Sequence, residues 1–211
     1  MSITDIPAVS APIRTRRAFV SPKRSHILNA IGLLAICAVL GFAFLDQFVN
    51  GDLPCPLCIL QRAGFVGVGL GLALNLKFGA RPSHYAIAIL SAMAGGLISA
   101  RQMLLHIVPG TGTYGDPFLG LHFYSWAFLL SVVIVAGCAI LLLFDRQFEP
   151  LPADVAPRRL GTLAIVGFFL FAALSLGNGA STVLECGQGL CPDNPTSYLL
   201  LDKEPPASTT P

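Results

Sequence analysis

Five long apolar runs, separated by short breaks rich in proline, glycine and charge, divide this chain. They cover residues 27–45 (with room to extend to Val49), 59–76, 85–108, 121–144 and 160–176, the last reaching Ala180. Each is close to the roughly 20 residues that carry a helix across a bilayer. In hydrocarbon the backbone must satisfy its own hydrogen bonds, so a spanning segment is a helix or part of a closed barrel. Barrel strands would alternate apolar and polar positions, and these runs are continuous. The pattern therefore predicts an all-α integral membrane protein, a bundle of about five transmembrane helices. The first run is longer than the roughly 7–15-residue apolar core of a cleaved signal peptide, so it reads as a retained span. Residues 1–25 read as a flexible basic tail, 26–145 as a four-helix core, 146–180 as a loop plus a fifth helix, and 181–211 as a cysteine-bearing tail.

Composition agrees with a membrane chain. Hydrophobic residues make up 54% and charged residues 11%, against about 25% charged in soluble domains. The net charge of +2 comes without a basic stripe interleaved with aromatics, which argues against a nucleic-acid partner. The placement of lysine and arginine sets an orientation, because these residues concentrate in cytoplasmic segments. With the N-terminus inside, the inner segments hold Arg14, Arg16, Arg17, Lys23, Arg24, Lys77, Arg81, Arg146, Arg158 and Arg159, ten of the thirteen basic residues. That orientation puts residues 51–57, the loop 109–120 and the tail from Ser181 on the outer side.

Four of the six cysteines then form two close pairs facing the same outer compartment, Cys55-Pro-Leu-Cys58 and Cys186 to Cys191. Disulfides persist in such a compartment, and paired thiols exchange two electrons with other dithiols. Prolines 54 and 56 disfavour helix ahead of Cys58, so the second span starts near Cys58 and sets that thiol at a helix N-terminus, where negative charge is favoured. Arg62 follows one turn deeper on the same face. Both effects lower a thiol pKa, and an arginine within a span marks a functional site or a side chain snorkelling to the interface. In the second pair, Gly187 and Gly189 let the intervening loop turn tightly enough to bridge Cys186 and Cys191. The alternatives for that pair are a static disulfide pinning the tail and a four-cysteine zinc site built from both pairs. Cys37 and Cys138 fall inside spans and read as small hydrophobes.

Arg101, Gln102 and His106 lie near the outer end of the third run. Gln102 and His106 share a face, with Arg101 about 100° away. They are candidates to line a cavity for a polar headgroup beneath the first cysteine pair, or interfacial anchors. Glycines 64, 67, 69, 71, 95 and 96 sit within spans, where small residues let helices approach, and so read as packing positions rather than a phosphate loop.

Three stretches carry a family resemblance: Cys55-Pro-Leu-Cys58-Ile-Leu-Gln-Arg62, Arg101-Gln-Met-Leu-Leu-His106-Ile-Val-Pro109 and Leu119-Gly-Leu-His-Phe-Tyr-Ser-Trp126. They resemble the disulfide-bond formation protein B (DsbB) family, over roughly residues 26–145. The resemblance implies a protein-disulfide oxidoreductase of the bacterial inner membrane, multi-pass, with its C-terminus periplasmic. Its implied electron acceptor is a quinone (ubiquinone or menaquinone) from the membrane pool. Its implied partner is a periplasmic thioredoxin-like dithiol oxidase (DsbA-like). By the same resemblance Cys58 is the thiolate nearest the quinone, Cys55 exchanges with the outer pair, and Arg62 contacts the headgroup. Gln102 stands where the family often has a quinone-contacting histidine, which leaves Arg101, Gln102 and His106 as competing headgroup contacts. The familiar form also has four spans, with its second cysteine pair between spans three and four. Here the loop 109–120 has no cysteine, and the pair Cys186/Cys191 follows an additional fifth span. The expected function is a relay from partner through Cys186/Cys191 and Cys55/Cys58 to quinone. The alternative is a non-catalytic membrane subunit with structural disulfides or a metal site.

Overall fold

A computed structural model describes residues 20–149 and 161–202. Much of the N-terminal basic tail lies outside those residues, as do Arg158 and Arg159, all of which enter the orientation argument. The described chain holds five long helices: α1 (Pro22–Val49), α2 (Pro56–Phe78), α3 (Pro82–Leu105), α4 (Phe123–Leu142) and α5 (Thr162–Cys186), with a short 3-10 helix at Asp145–Phe148 after α4. All five are long and apolar enough to cross a membrane, so the chain is a multi-pass helical membrane protein.

The first three helices each open on proline, at Pro22, Pro56 and Pro82. Proline suits the first helical position because its fixed φ is helical and its missing N–H would have had no partner there. The helices extend beyond the hydropathic runs at several ends. The largest difference is at α5, which continues past Ala180 to Cys186. Its last turns carry polar residues that turn inward or back onto the helix. Ser181 accepts a hydrogen bond from Gln47 Nε2 at 2.8 Å, Asn178 Nδ2 donates to Leu174 O, and Thr182 Oγ1 donates to Asn178 O. Hydropathy alone stops at the polar residues that these bonds accommodate.

Helix α2 packs most extensively on α3, α3 on α4, and α1 on α2, while α5 attaches chiefly along α1. Glycines set the closeness of the central pair: a Cβ on Gly64 would lie 3.0 Å from Gly95 Cα, and one on Gly71 would crowd the His84 carbonyl. The glycines are thus packing positions. Helices α1 and α4 each lean on the α2–α3 pair and scarcely touch one another, which leaves a gap between them.

At the end of the bundle away from the cysteines, a buried polar network joins four elements. Tyr85, with no solvent exposure, accepts from Asn29 Nδ2 at 2.8 Å and donates to Gln147 Oε1 at 3.0 Å. Ser25 also donates to Gln147 Oε1, and Asn75 links Asn29 to His84 and to the Arg81 N–H. Gln147 in turn donates to the carbonyls of Leu141 and Phe144. Every side chain in this network has a partner, as burial in a dry environment requires. Replacing Tyr85 by Phe removes a shared donor and acceptor. The expected result is a loss of about 1–2 kcal/mol of stability, read as a lower unfolding midpoint in detergent, with the reactivity of the cysteines at the far end unchanged.

Candidate functional site

The start of α2 is built around its cysteines. Cys55 is the N-cap residue, extended at φ −63° and ψ 161°, and its Sγ accepts the Cys58 N–H at 3.1 Å. Pro56 follows at the first helical position, so Cys58 lies in the first turn, where unpaired N–H groups and the helix dipole favour a negative charge. The two sulfurs are joined as a disulfide with the Cα atoms 4.9 Å apart. Cys55 is buried and Cys58 half-buried.

Gln102 of α3 lies directly against this disulfide. Its Nε2 is 3.4 Å from Cys55 Sγ and 3.6 Å from Cys58 Sγ. Gln61 Nε2 donates to Gln102 Oε1 at 2.6 Å and thereby turns the amide so that its N–H face meets the sulfurs. A buried N–H aimed at a sulfur stabilises that sulfur most when it is a thiolate, since hydrogen bonds to charged groups are the stronger ones.

Arg62 is one turn deeper. Its Nη1 donates to Gln47 Oε1 at 2.7 Å and its Nη2 to the Ala43 carbonyl at 3.0 Å, both on α1. The guanidinium also stands 5.7 Å from the centre of the Phe44 ring. Gln47 is itself buried and passes its two N–H bonds to Ser181 Oγ and Tyr198 Oη, at 2.8 and 2.7 Å. Arg62 is thereby tied to α1, α5 and the C-terminal segment at once.

Cys58 and Arg62 both face a cavity of about 400 Å³ in the gap between α1 and α4. Phe42, Phe65, Phe118, Phe123, Tyr124 and Trp126 supply most of its aromatic wall. Phe118 is held by a tight turn in which Phe118 and Leu121 exchange both backbone hydrogen bonds, with Leu119 and Gly120 at φ 51° and 83°. Positive φ at both central residues is the type I′ arrangement, which glycine adopts freely and leucine does not. Tyr114 closes the outer side by donating to the Leu53 carbonyl at 2.6 Å. Burial, with the negative charges of Glu185 and Asp52 in range, raises the Tyr114 phenol above its ordinary pKa and keeps the donor protonated. The cavity falls within the roughly 300–1,000 Å³ of small-molecule sites. Its aromatic walls, and a cation and a disulfide sulfur on one side, fit a flat apolar ring bearing hydrogen-bond-accepting oxygens.

The other predicted contacts are distributed differently. Arg101 is exposed and is not part of the cavity wall. His106 Nδ1 donates to the Gly112 carbonyl at 3.1 Å, and the ring stacks on Tyr124 with ring centres 5.6 Å apart. His122 also stacks on Tyr124, with ring centres 5.3 Å apart, so two imidazoles brace a ring that lines the cavity. Gln47, Tyr114 and Tyr124 were not singled out from the sequence. A buried glutamine on α1 gives no pattern of its own until the arginine it faces is known.

The second pair sits at the end of α5. Cys186 is the last helical residue and is buried, Cys191 is half-buried, and the two are bonded as a disulfide with Cα atoms 4.3 Å apart. With both pairs bonded, the four sulfurs do not offer the thiolates that zinc requires. Gly187 turns the chain out of the helix at φ 62°, and Leu190 beside Cys191 is almost wholly exposed.

Residues 24–113 match the family model described as Disulfide bond formation protein DsbB. A disulfide bond formation protein B of Azoarcus sp. is 37% identical over 153 residues, covering 56% of this chain and 92% of that protein. The protein of the same name from Chromobacterium violaceum is 36% identical over 128 residues, covering 54% and 76%. A third, from Aromatoleum aromaticum, is 39% identical over 85 residues, and the chain spans 51% of its length. No solved structure matches the chain. The family model stops short of α4, α5 and the second cysteine pair.

Substituting Gln102 by Leu removes the N–H that faces both sulfurs while keeping the volume. Alkylation of Cys58 in the reduced protein, followed by mass spectrometry of its peptide at fixed pH near neutrality, is expected to slow about tenfold, since a charge-assisted hydrogen bond contributes about 1.5 kcal/mol or more. An unchanged rate would show that the amide does not hold the thiolate.

Proposed function

Because the chain belongs to the disulfide bond formation protein B family, we propose that it is a protein-disulfide oxidoreductase of the inner membrane. In this reading it takes electrons from a periplasmic thioredoxin-like dithiol oxidase and delivers them to a membrane quinone. The observation that carries the reading is the joint position of Cys58 and Arg62 on the aromatic cavity between α1 and α4.

The relay starts at the second pair. Cys191 is the more accessible sulfur and is flanked by exposed Leu190, while Cys186 is buried at the helix end. The reduced partner therefore attacks Cys191 and releases Cys186. A second exchange reduces Cys55–Cys58, with Cys55 as the sulfur that meets the outer pair. Cys58 is then left as a thiolate in the first turn of α2, supported by the helix terminus, the Gln102 amide and the Arg62 charge. Arg62, held at fixed geometry by Gln47 and Ala43, orients a ring oxygen in the cavity, and the aromatic wall keeps water from the exchange. A quinone bound there would supply a two-electron sink. Such an acceptor is needed because a strongly oxidising partner is not reoxidised by an ordinary low-potential disulfide. Gln102 and His106 act from behind the cavity, one on the sulfurs and one on the Tyr124 ring.

Two measurements test this. Purified protein, reduced partner and a short-chain quinone are mixed without oxygen, and quinol is followed by absorbance. Quinol is expected to form, to be abolished by Cys58→Ser and to slow at least about tenfold with Arg62→Gln. No quinol, or an undiminished rate in Cys58→Ser, sinks the relay. In the second, a partner lacking its resolving cysteine is trapped as a mixed disulfide, and peptide mapping is expected to find it on Cys191. A link to Cys186 would reverse the order of the two outer sulfurs.

A further inference from the structure

Glu185, the residue before Cys186, has no solvent exposure, and neither of its carboxylate oxygens has a hydrogen-bond partner among the described residues. A carboxylate in so dry a place is held ionised by an opposite charge, or it takes a proton. The opposite charge in range is Arg62, which reaches toward α1 and α5 from its place on the cavity wall. The guanidinium makes hydrogen bonds to an amide oxygen and a backbone carbonyl, and among the described residues no carboxylate is bonded to it directly. The other ionisable groups in range of Arg62 are Asp46 of α1, Tyr114 of the loop after α3 and Tyr198 of the C-terminal segment, and Asp52 is in turn in range of Tyr114. Helix α5 itself brings only Cys186, tied in its disulfide.

One cation is thus in range of the Glu185 carboxylate and lines the same cavity as Cys58, so the carboxylate and the Cys58 sulfur compete for it. Arg62 can balance one negative charge in this setting and not two, because an unbalanced buried charge is far more costly than a protonated group. We propose that Glu185 is a proton-holding site coupled to the redox state of the Cys55–Cys58 pair. This rests on the relay described above. In the reduced protein, Cys58–SH and Glu185–COO⁻ become Cys58–S⁻ and Glu185–COOH, and the Arg62 charge moves from the carboxylate to the thiolate. Reoxidation of the pair releases two electrons and two protons, one proton from the Cys55 thiol and one from Glu185. All four go to the two-electron acceptor. Glu185 does not touch the reacting sulfur bond and acts through Arg62, so it is a positioning residue. The fifth helix would then deliver two things to the core, the outer cysteine pair and the carboxylate that keeps charge balanced while electrons pass.

The test reads Cys58 protonation without any quinone. Full-length protein carrying Cys55→Ser, Cys186→Ser and Cys191→Ser leaves Cys58 as the free thiol of the two pairs, and its alkylation rate is followed against pH by mass spectrometry. Glutamine is neutral, as the protonated Glu185 of the proposal is, so Glu185→Gln is expected to leave the midpoint within about 0.3 pH units, whereas a glutamate that stayed ionised beside the thiol would make the midpoint fall by about one unit on substitution. Glu185→Asp keeps the carboxylate and is expected to keep the midpoint. Infrared difference spectra, reduced minus oxidised, of the protein with all four cysteines and Glu185 intact are expected to show a carboxylic-acid C=O band, and Glu185→Gln is expected to lack it. A midpoint about one pH unit lower in Glu185→Gln, or no carboxylic-acid band on reduction, would overturn the proposal. Failure of the wild-type protein to make quinol would instead fault the relay, so the two readings fail separately.

Discussion

A guanidinium placed one turn inside a membrane-spanning helix is the constraint around which the cysteine end of this molecule is arranged. Arg62 cannot be left bare in a dry interior, where an isolated charge is among the most unfavourable groups a protein can hold. Helix α1 meets it with Gln47 and the Ala43 carbonyl, the Phe44 ring lies against it, and α5 brings Glu185 into range. Gln47 can satisfy Arg62 with its oxygen because Ser181 and Tyr198 accept its N–H groups. The docking of the fifth helix is thus part of how the arginine is accommodated, not an addition to a finished core.

The two ends of the bundle show opposite uses of buried polarity. Around Tyr85, every hydrogen-bonding side chain has a neutral partner, and the effect is to fix the register of α1, α2, α3 and the turn after α4. Around Arg62, charged and redox-active groups gather, and two carboxylate oxygens have no hydrogen bond among the described residues. Fully satisfied networks hold a structure in one state, while incompletely satisfied ones are where protons and electrons can be exchanged at modest cost.

Much of the architecture was legible in the chain. Continuous apolar runs gave the helices because the bilayer allows few alternatives, and proline placement ahead of Cys58 gave the start of α2. The C-x-x-C, the arginine one turn on and the flanking stretches pointed to the family that the comparisons support. Contacts between helices distant in sequence were not legible. Gln102 was read as a candidate headgroup contact, and the structure sets it against the disulfide, because its direction depends on the Gln61 amide across the α2–α3 interface. Glu185 was overlooked for a related reason. Hydropathy ends α5 near Ala180, and a glutamate beyond that point reads as a solvated tail residue rather than a buried one.

The position of the cavity between α1 and α4 has a consequence for how its occupancy is counted. Its wall is aromatic and aliphatic, and the two helices that flank it scarcely pack on each other. A hydrophobic ring with a long tail, such as the acceptor proposed above, would therefore reach it from among the lipid chains and not from bulk water. The concentration that sets occupancy is the mole fraction of that molecule in the bilayer. The same protein in a large excess of lipid or detergent would behave as though its ligand had been diluted, with the aqueous volume left unchanged.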